Sequence, residues 1–281
     1  MTRAGSFSRE LRAWRQRRGL SQLDLSIRAE TTQRHVSYLE QGRSAPSRTM
    51  VVRLAESLEL TLRDRNELLL SSGFAPVYAE SDLESPELRP IRDAIDAMLT
   101  AHEPYPAVAA KPDGELVAHN DAVDLFFDGA APELLLPPIN GYRLALHPDG
   151  MAPRIANLPE WGRHVLEALR AALRRRPDPS VEALLAELES YVPAAPLGPD
   201  HVGFAVPLEF ASRDGELTLI TTLTSFATAV DVTLADLHLE AFLPADEGTA
   251  DVLRRRAERR QAAKGSAPDA TAARSDDAKV L

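Results

Sequence analysis

The sequence predicts an α+β protein in which a small all-helical domain is followed by a domain with an antiparallel sheet packed against helices. Two observations support this fold class, and a third supports the division into two domains. Residues 9–71 place apolar side chains three and four positions apart between good helix caps, and short alternating runs separated by turn residues recur after residue 104. The charge also divides, because residues 1–75 hold 13 Arg against 8 acidic residues, whereas residues 76–250 carry a net charge of −18.

Five segments follow from this division of the chain. We predict a flexible N-terminus at 1–8, a helical domain at 9–75, a linker with a connecting helix at 76–103, a sheet domain at 104–248 and a charged tail at 249–281. The tail is predicted to be disordered, because beyond Arg260 it has almost nothing apolar to bury. Its arginine run, residues 254–256 with 259–260, is typical of a solvated charged segment, and contact with DNA is the alternative.

Composition narrows the class of protein. The 281 residues include no cysteine, which excludes disulfides and thiolate chemistry, and the N-terminal residues lack the apolar segment of a secretory signal. The uncharged stretch from Leu217 to Val230 is too short to span a bilayer. We therefore expect a soluble cytoplasmic protein with no membrane partner and no cofactor.

The helical domain is predicted to contain five helices. Ser21 and Asp24 have the spacing of a capping box, and Thr31 or Thr32 can cap the following helix. The helices are expected at 9–18, from Ser21, from Thr32 to a stop at Gly42, from Ser47, and from Leu62 to Ser71. The side chains expected to face the core of the first three are Leu11, Trp14, Leu23, Ile27, Ala29, Val36 and Leu39. The opposite face of the third helix then carries Gln33, Arg34, Ser37 and Tyr38.

Two helices joined by a turn of three or four residues form a helix-turn-helix. The run "LSQLDLSIRAETTQRHVSYLEQGRSAPS" resembles the Xre/Cro/434-repressor type of this motif over about residues 9–72. The resemblance implies double-stranded DNA as the partner, a homodimer on a palindromic site, and a third helix that lies in the major groove. Carried over by position, the DNA-binding residues are Gln22, Thr32, Gln33, Arg34, Ser37, Tyr38, Arg43 and Arg48.

The residue types of this set suit DNA. An amide such as that of Gln33 can pair with adenine, and a guanidinium such as that of Arg34 with guanine, whereas Gln22, Arg43 and Arg48 are expected at phosphates. One departure is Glu30, which stands where these repressors usually have glycine in the turn; a positive φ there costs roughly 1 kcal/mol. The alternative is that Gln33 and Arg34 are ordinary solvated helix residues and that Arg43 and Arg48 are ordinary surface charges.

The rest of the chain predicts a connecting helix, a hairpin, a helical middle and three strands. Leu88, Ile91, Ile95 and Leu99 share one helical face, and Pro112-Asp113-Gly114 is typical of a hairpin turn. Helices are expected from Arg154 to Tyr191. The last three strands are expected in the runs "VGFAVPLEFA", "GELTLITTLTSFA" and "VTLADLHLEAFLP".

This order of elements is similar to that of PAS domains. More specifically, "YRLALHPDGMAPRIANLPEW" and "DVTLADLHLEAFLPADE" resemble the ligand-binding domain of MmyB-like transcription regulators over about residues 104–248. The resemblance implies a cavity for a small, largely apolar effector, for which a fatty acid is the precedent. The residues expected to line it are Phe126, Leu144, Leu146, Trp161, Val165, Phe204, Leu219 and Leu223. Arg143 and Arg154 are the expected partners of a carboxylate head. The alternative is core packing for the apolar set and surface ion pairs for the arginines.

Patterns typical of an enzyme are missing. His147 lies two residues before Asp149, but Pro148-Asp149-Gly150 is typical of a tight turn, and the seven histidines include no H-x-x-x-H metal pair. G-x-S-x-G, G-x-G-x-x-G and P-loop sequences are also absent. We expect no catalytic residues and no metal site. Two hypotheses stay open, a ligand-responsive transcription regulator and a protein-interaction or lipid-binding module without DNA.

Overall fold

The computed structural model describes residues 3–194, 206–226 and 229–266. Its helices are α1 (Arg3–Arg17), α2 (Gln22–Arg28), α3 (Gln33–Glu40), α4 (Arg48–Ser57), α5 (Leu62–Ser71), α6 (Arg89–Ala101), α7 (Asp124–Phe127), α8 (Gly141–Leu146), α9 (Leu158–Arg175), α10 (Pro179–Glu189), α11 (Val232–Asp236) and α12 (Glu247–Ser266). The strands are β1 (Ala107–Ala110), β2 (Leu116–His119), β3 (Leu208–Ser212), β4 (Gly215–Ser225) and β5 (His238–Pro244). The predicted α+β class is confirmed.

The helix-turn-helix is built by the caps that its sequence predicts. The Ser21 hydroxyl accepts a hydrogen bond from the Asp24 backbone at 3.0 Å, and the Asp24 carboxylate accepts one from the Ser21 backbone at 2.9 Å. Thr32 caps α3 by accepting from the His35 backbone. Glu30, in the turn between α2 and α3, has φ +48°, so the residue that replaces glycine does adopt the left-handed conformation.

Two predictions about this domain are wrong. The segment predicted as a flexible N-terminus is helical from Arg3, where α1 begins; within it Phe7 is only 2% exposed, and the Ser8 hydroxyl donates to the Leu39 carbonyl at 2.7 Å. Leu23 and Ile27 do not face the core, since they are 50% and 67% exposed. The core face of α2 is formed by Leu25 and Ser26 instead, with Ala29 buried just after the helix, so it lies about half a turn from the predicted one.

The second domain is a five-stranded antiparallel sheet in the order β2-β1-β5-β4-β3. Alternation along the strands gives it two apolar faces. On one face Ala109, Leu239 and their neighbours pack against Ile95 and Leu99 of α6, which lie on the apolar face predicted for the connecting helix. The other face packs against α8, α9 and α10, and it contains the cavity described below.

Two predictions about the C-terminal third are wrong. The run 232–244 is not one strand, because Asp231 caps the short helix α11 by accepting from the Thr233 backbone at 2.8 Å, and β5 begins only at His238. Residues 249–266 are not a disordered tail but most of α12, in which Leu253 and Ala257 are buried. The later part of the predicted tail, 267–281, lies outside the described residues.

Arginine side chains hold α12 to the domain. Arg256 is 15% exposed and forms ion pairs with Asp124 at 3.2 Å, Asp128 at 2.8 Å and Asp214 at 2.7 Å. The prediction of a solvated run holds for Arg255 and Arg259, which are exposed, but is wrong for Arg256, whose acidic partners lie far away in the chain. In the described part of the chain, no helix is long and apolar enough to cross a membrane.

Helix α5 of the first domain contacts the second domain through ion pairs. Arg176 follows α9, and its guanidinium lies 3.0 Å from the Asp64 carboxylate and 2.8 Å from that of Glu67. Arg63 pairs with Asp236 at the end of α11 at 2.7 Å. The helix that carries Trp161 and Val165 is therefore tied at its C-terminal end to the helix-turn-helix domain.

Candidate functional site

Helix α3 presents a polar surface to solvent. Gln33 and Arg34 are exposed, Ser37 and Tyr38 are half-buried, and Val36 and Leu39 on the opposite side are fully buried. The cap at Thr32 sets where the helix begins, and Gly42, at φ +69°, ends it in a conformation that favours glycine. The structure thus brings together the four polar side chains that sequence periodicity assigned to one face.

The polar side chains of α3 also hold one another. The Arg34 Nε donates to the Tyr38 hydroxyl at 2.9 Å, and the guanidinium carbon lies 5.1 Å from the centre of the Tyr38 ring. Gln41 donates to the Ser37 hydroxyl at 2.9 Å. Arg34 is therefore oriented along the exposed face, and its terminal nitrogens make no hydrogen bond to any described residue.

The Gln22 side-chain amide forms a hydrogen bond within the protein and has a second N–H that a ligand can use. Its amide nitrogen donates to Glu40 at 2.8 Å, and Glu40 accepts two further bonds from Arg15, at 2.6 and 3.0 Å. Glu40 is 3% exposed and Arg15 11%. The network joins α1, α2 and α3 and fixes the amide, whose second N–H stays free to donate to a phosphate.

Arg43 follows α3 in the loop that leads to α4, and Arg48 is the first residue of α4. Both are exposed, and neither forms an ion pair with the residues that the structure describes. Unpaired guanidinium groups beside an exposed helix are suited to phosphate oxygens, for which arginine supplies bidentate hydrogen bonds.

The sheet domain contains a cavity of about 500 Å³ between the sheet and helices α8 and α9. This volume falls in the range of small-molecule sites, roughly 300–1,000 Å³. Most of its walls are apolar, from the sheet (Val108, Phe242), the segment before α7 (Val123) and the helices (Phe127, Ala168).

Half of the predicted ligand-binding set lies at this cavity. The predicted residues that line it are Phe126, Leu144, Trp161, Val165 and Leu223. Leu146 and Leu219 do not, since both are fully buried among core side chains. Phe204 lies outside the described residues.

The two arginines expected at a carboxylate head are not part of the cavity wall. Arg143 forms a two-pronged ion pair with Glu187 of α10, at 2.7 and 2.8 Å. Arg154 donates to the Phe126 carbonyl at 2.9 Å and stacks on the ring of Phe210, with its guanidinium carbon 4.8 Å from the ring centre. Both guanidinium groups therefore bind other parts of the protein. For Arg143 this partner is a carboxylate, which is the ion pair that the alternative predicted.

Two comparisons with protein families bear on these surfaces. Residues 91–255 match the MmyB-like transcription regulator ligand binding domain, which is more than half of the chain, and residues 6–68 match a helix-turn-helix domain. The chain belongs to the MmyB-like transcription regulators. A comparison with curated proteins found no match. The domains of this MmyB-like regulator are therefore those of a DNA-binding transcription regulator with a ligand-binding domain.

Sequence reasoning missed the polar lining of the cavity in this MmyB-like regulator. The polar residues at the wall are Tyr142, His164, Thr221, His238 and Glu240. In β5, period-two alternation places His238, Glu240 and Phe242 on the cavity face and Leu239 and Ala241 on the α6 face. The alternation is visible in the sequence "HLEAFLP", but the expectation of an apolar site selected only apolar residues and arginines for the wall.

Proposed function

We propose that the chain is a sequence-specific transcription regulator whose α3 reads DNA as part of a homodimer, and whose DNA binding is controlled by an apolar effector in the cavity. The observation that carries the proposal is the exposed face of α3 with Gln33 and Arg34, followed in the chain by the exposed Arg43 and Arg48. Amide and guanidinium groups on an exposed, capped helix are the chemistry of base-edge recognition.

The effector is proposed to have a fatty-acid-like hydrocarbon chain. The support is the mostly apolar wall of a cavity of about 500 Å³, lined by aromatic and aliphatic side chains such as Phe126 and Trp161. The test is native mass spectrometry of the purified chain, which reports the oligomeric state and any co-purified small molecule together. A monomer with an empty cavity would argue against both the homodimer and the effector.

Helix α9 supplies a physical connection between the two sites. Trp161, Val165 and Leu169 of this helix line the cavity, and Arg176 just beyond its C-terminal end is ion-paired with α5 of the DNA-binding domain. A ligand that moves α9 against the sheet moves this ion pair, and therefore biases the position of α3 relative to a second copy.

DNA binding is tested on a site selected from a random pool. We expect an inverted repeat with half-sites about one helical turn apart, and an association constant that falls steeply as salt rises, because bound phosphates release counterions. Absent or salt-insensitive binding would instead favour a protein-interaction or lipid-binding module, the alternative that the exposed Leu23 and Ile27 of α2 also suit.

A further inference from the structure

One end of the cavity carries most of its hydrogen-bonding groups. His238 and Glu240 extend from β5, the central strand of the sheet, with the His238 Nε2 3.2 Å from one Glu240 carboxylate oxygen. Tyr142 lines the same cavity, near enough to Glu240 to be influenced by its charge, and its ring lies so close to Gly114 that a Cβ there would be 2.4 Å from the ring. We call Tyr142, His238 and Glu240 the polar end of the cavity.

Glu240 is an unusual residue for its place in the sheet. Its neighbours across the ladder are Val108 on β1 and Leu223 on β4, both apolar and both at the cavity wall. Its side chain is 21% exposed, and the second carboxylate oxygen accepts no hydrogen bond from any described side chain. This oxygen is not among the buried unpaired atoms of the described residues, so it keeps contact with water. A ligand that donates to it replaces water with a hydrogen bond to a charged acceptor beside apolar neighbours, where such a bond is stronger than in water.

The Tyr142 hydroxyl is also unpaired, since it forms no hydrogen bond to the described residues. Burial, together with the charges of Glu240 and Asp113, raises the pKa of Tyr142 above its ordinary value. The phenol therefore stays neutral at physiological pH, and it can both donate to and accept from a ligand group.

The charges around the cavity disfavour an anionic ligand. Among the described wall residues there is no arginine or lysine, and the nearest predicted cations, Arg143 and Arg154, are engaged elsewhere. A carboxylate head placed at the polar end would lie beside the Glu240 carboxylate, where like charges repel in a poorly solvated site. His164 on α9 is the exposed wall residue that offers an anion another position.

We propose that the polar group of the effector is a hydrogen-bond donor, a hydroxyl or an amino group, that Glu240 accepts at the polar end of the cavity. The effector is then a long-chain alcohol or amine type of molecule rather than a carboxylic acid. This inference rests on the proposed function only in taking the cavity as the effector site.

The test compares three probes of equal chain length, decanol, decylamine and decanoate, by titration calorimetry on the full chain at neutral pH. We expect decanol and decylamine to bind at least about tenfold more tightly than decanoate, the size of one hydrogen bond to a charged group. Glu240→Gln should weaken decylamine and strengthen decanoate, because it removes the charge while keeping an acceptor oxygen. Glu216→Gln, the same change at an exposed position of β4, should leave all three affinities unchanged.

The outcomes separate this inference from the proposed function. Tighter binding of decanoate than of decanol and decylamine, or an equal effect of Glu240→Gln on all three probes, would overturn the donor assignment and leave the apolar effector site intact. Failure of all three probes to bind a folded chain, checked by circular dichroism, would overturn the effector site and the donor assignment with it.

Discussion

The Glu40 carboxylate connects three helices of the DNA-binding domain through its hydrogen bonds to Arg15 and Gln22. Its removal tests how much this network stabilises the domain. Glu40→Ala leaves the guanidinium of Arg15, which is 11% exposed, without its carboxylate, and we expect a loss of about 3 kcal/mol in the free energy of unfolding. The measurement is urea unfolding followed by Trp14 fluorescence in a Trp161→Phe background.

The matched control for Glu40 is Glu56 of α4. Its side chain is 55% exposed and lies 3.8 Å from Arg65, so Glu56→Ala should change the free energy of unfolding by less than about 0.5 kcal/mol. Similar losses for the two variants would contradict the role assigned to the network of Arg15, Gln22 and Glu40.

Arg34 is the residue whose proposed DNA contact is most directly testable. We expect Arg34→Ala to weaken binding to the selected site by about 1–3 kcal/mol and to relax preference at one base step, with little effect on random DNA. The measurement is fluorescence anisotropy on both DNAs. Arg28→Ala is the control, because Arg28 is exposed on α2 and lies 3.8 Å from Glu59. An equal loss on both DNAs would show that Arg34 contacts only phosphate.

At the level of elements, Arg256 makes three of the ion pairs that join α12 to the rest of the sheet domain. Arg256→Met leaves Asp128 without an ion-pair partner among the described residues and leaves Asp124 and Asp214 with Arg260 and Arg259 alone, so we expect α12 to loosen from the sheet domain. Hydrogen exchange of the α12 amides should become at least about tenfold faster, which corresponds to about 1.4 kcal/mol.

The control for this variant is the adjacent Arg255→Met. Arg255 is exposed and forms no ion pair with the described residues, so its loss should leave exchange unchanged. Equal exchange in the two variants would mean that the buried Leu253 and Ala257 hold the helix without the ion pairs.

Most elements could be predicted from local sequence, and the exceptions share a physical cause. Caps at Ser21 and Thr32 and the turn at Asp113-Gly114 are local signals, and the structure follows them. The inward face of α2 and the docking of α12 depend instead on partners distant in the chain. Leu23 and Ile27 are apolar but lie outside the core, and Arg256 is charged but nearly buried.

The same distinction between local signals and distant partners applies to the predictions about the cavity. Its existence and five of the eight predicted apolar wall residues agree with what the family resemblance implies, whereas its polar end does not follow from hydrophobicity. Arg143 was expected at a ligand, but its partner Glu187 lies on a different helix, and sequence spacing does not reveal that pairing. Polar site residues were the least predictable because their role depends on which charges meet in space.

At the scale of the whole molecule, Arg176 connects the cavity helix to the DNA-binding domain. We expect Arg176→Ala to shrink the effector-dependent change in DNA affinity to less than about twofold, because in the proposed mechanism the ion pairs with Asp64 and Glu67 transmit the effect of the ligand. The measurement is DNA binding with and without decanol.

Arg170→Ala is the matched control for this coupling. Arg170 lies on the same helix and is exposed to a similar degree, but it pairs with Glu189 inside the second domain. The control should therefore keep the full response. A full response in Arg176→Ala as well would place the coupling in other contacts, such as that of Arg63 with Asp236.

The central claim is that the cavity controls the DNA-binding surface, and one measurement tests it most directly. The affinity of the full chain for its selected DNA is measured at fixed salt with and without saturating decanol. The account predicts a change of at least about fivefold, and the same factor in decanol affinity when DNA is bound, because coupling between two sites is reciprocal. Equal DNA affinity in the two conditions, with decanol bound, would contradict it.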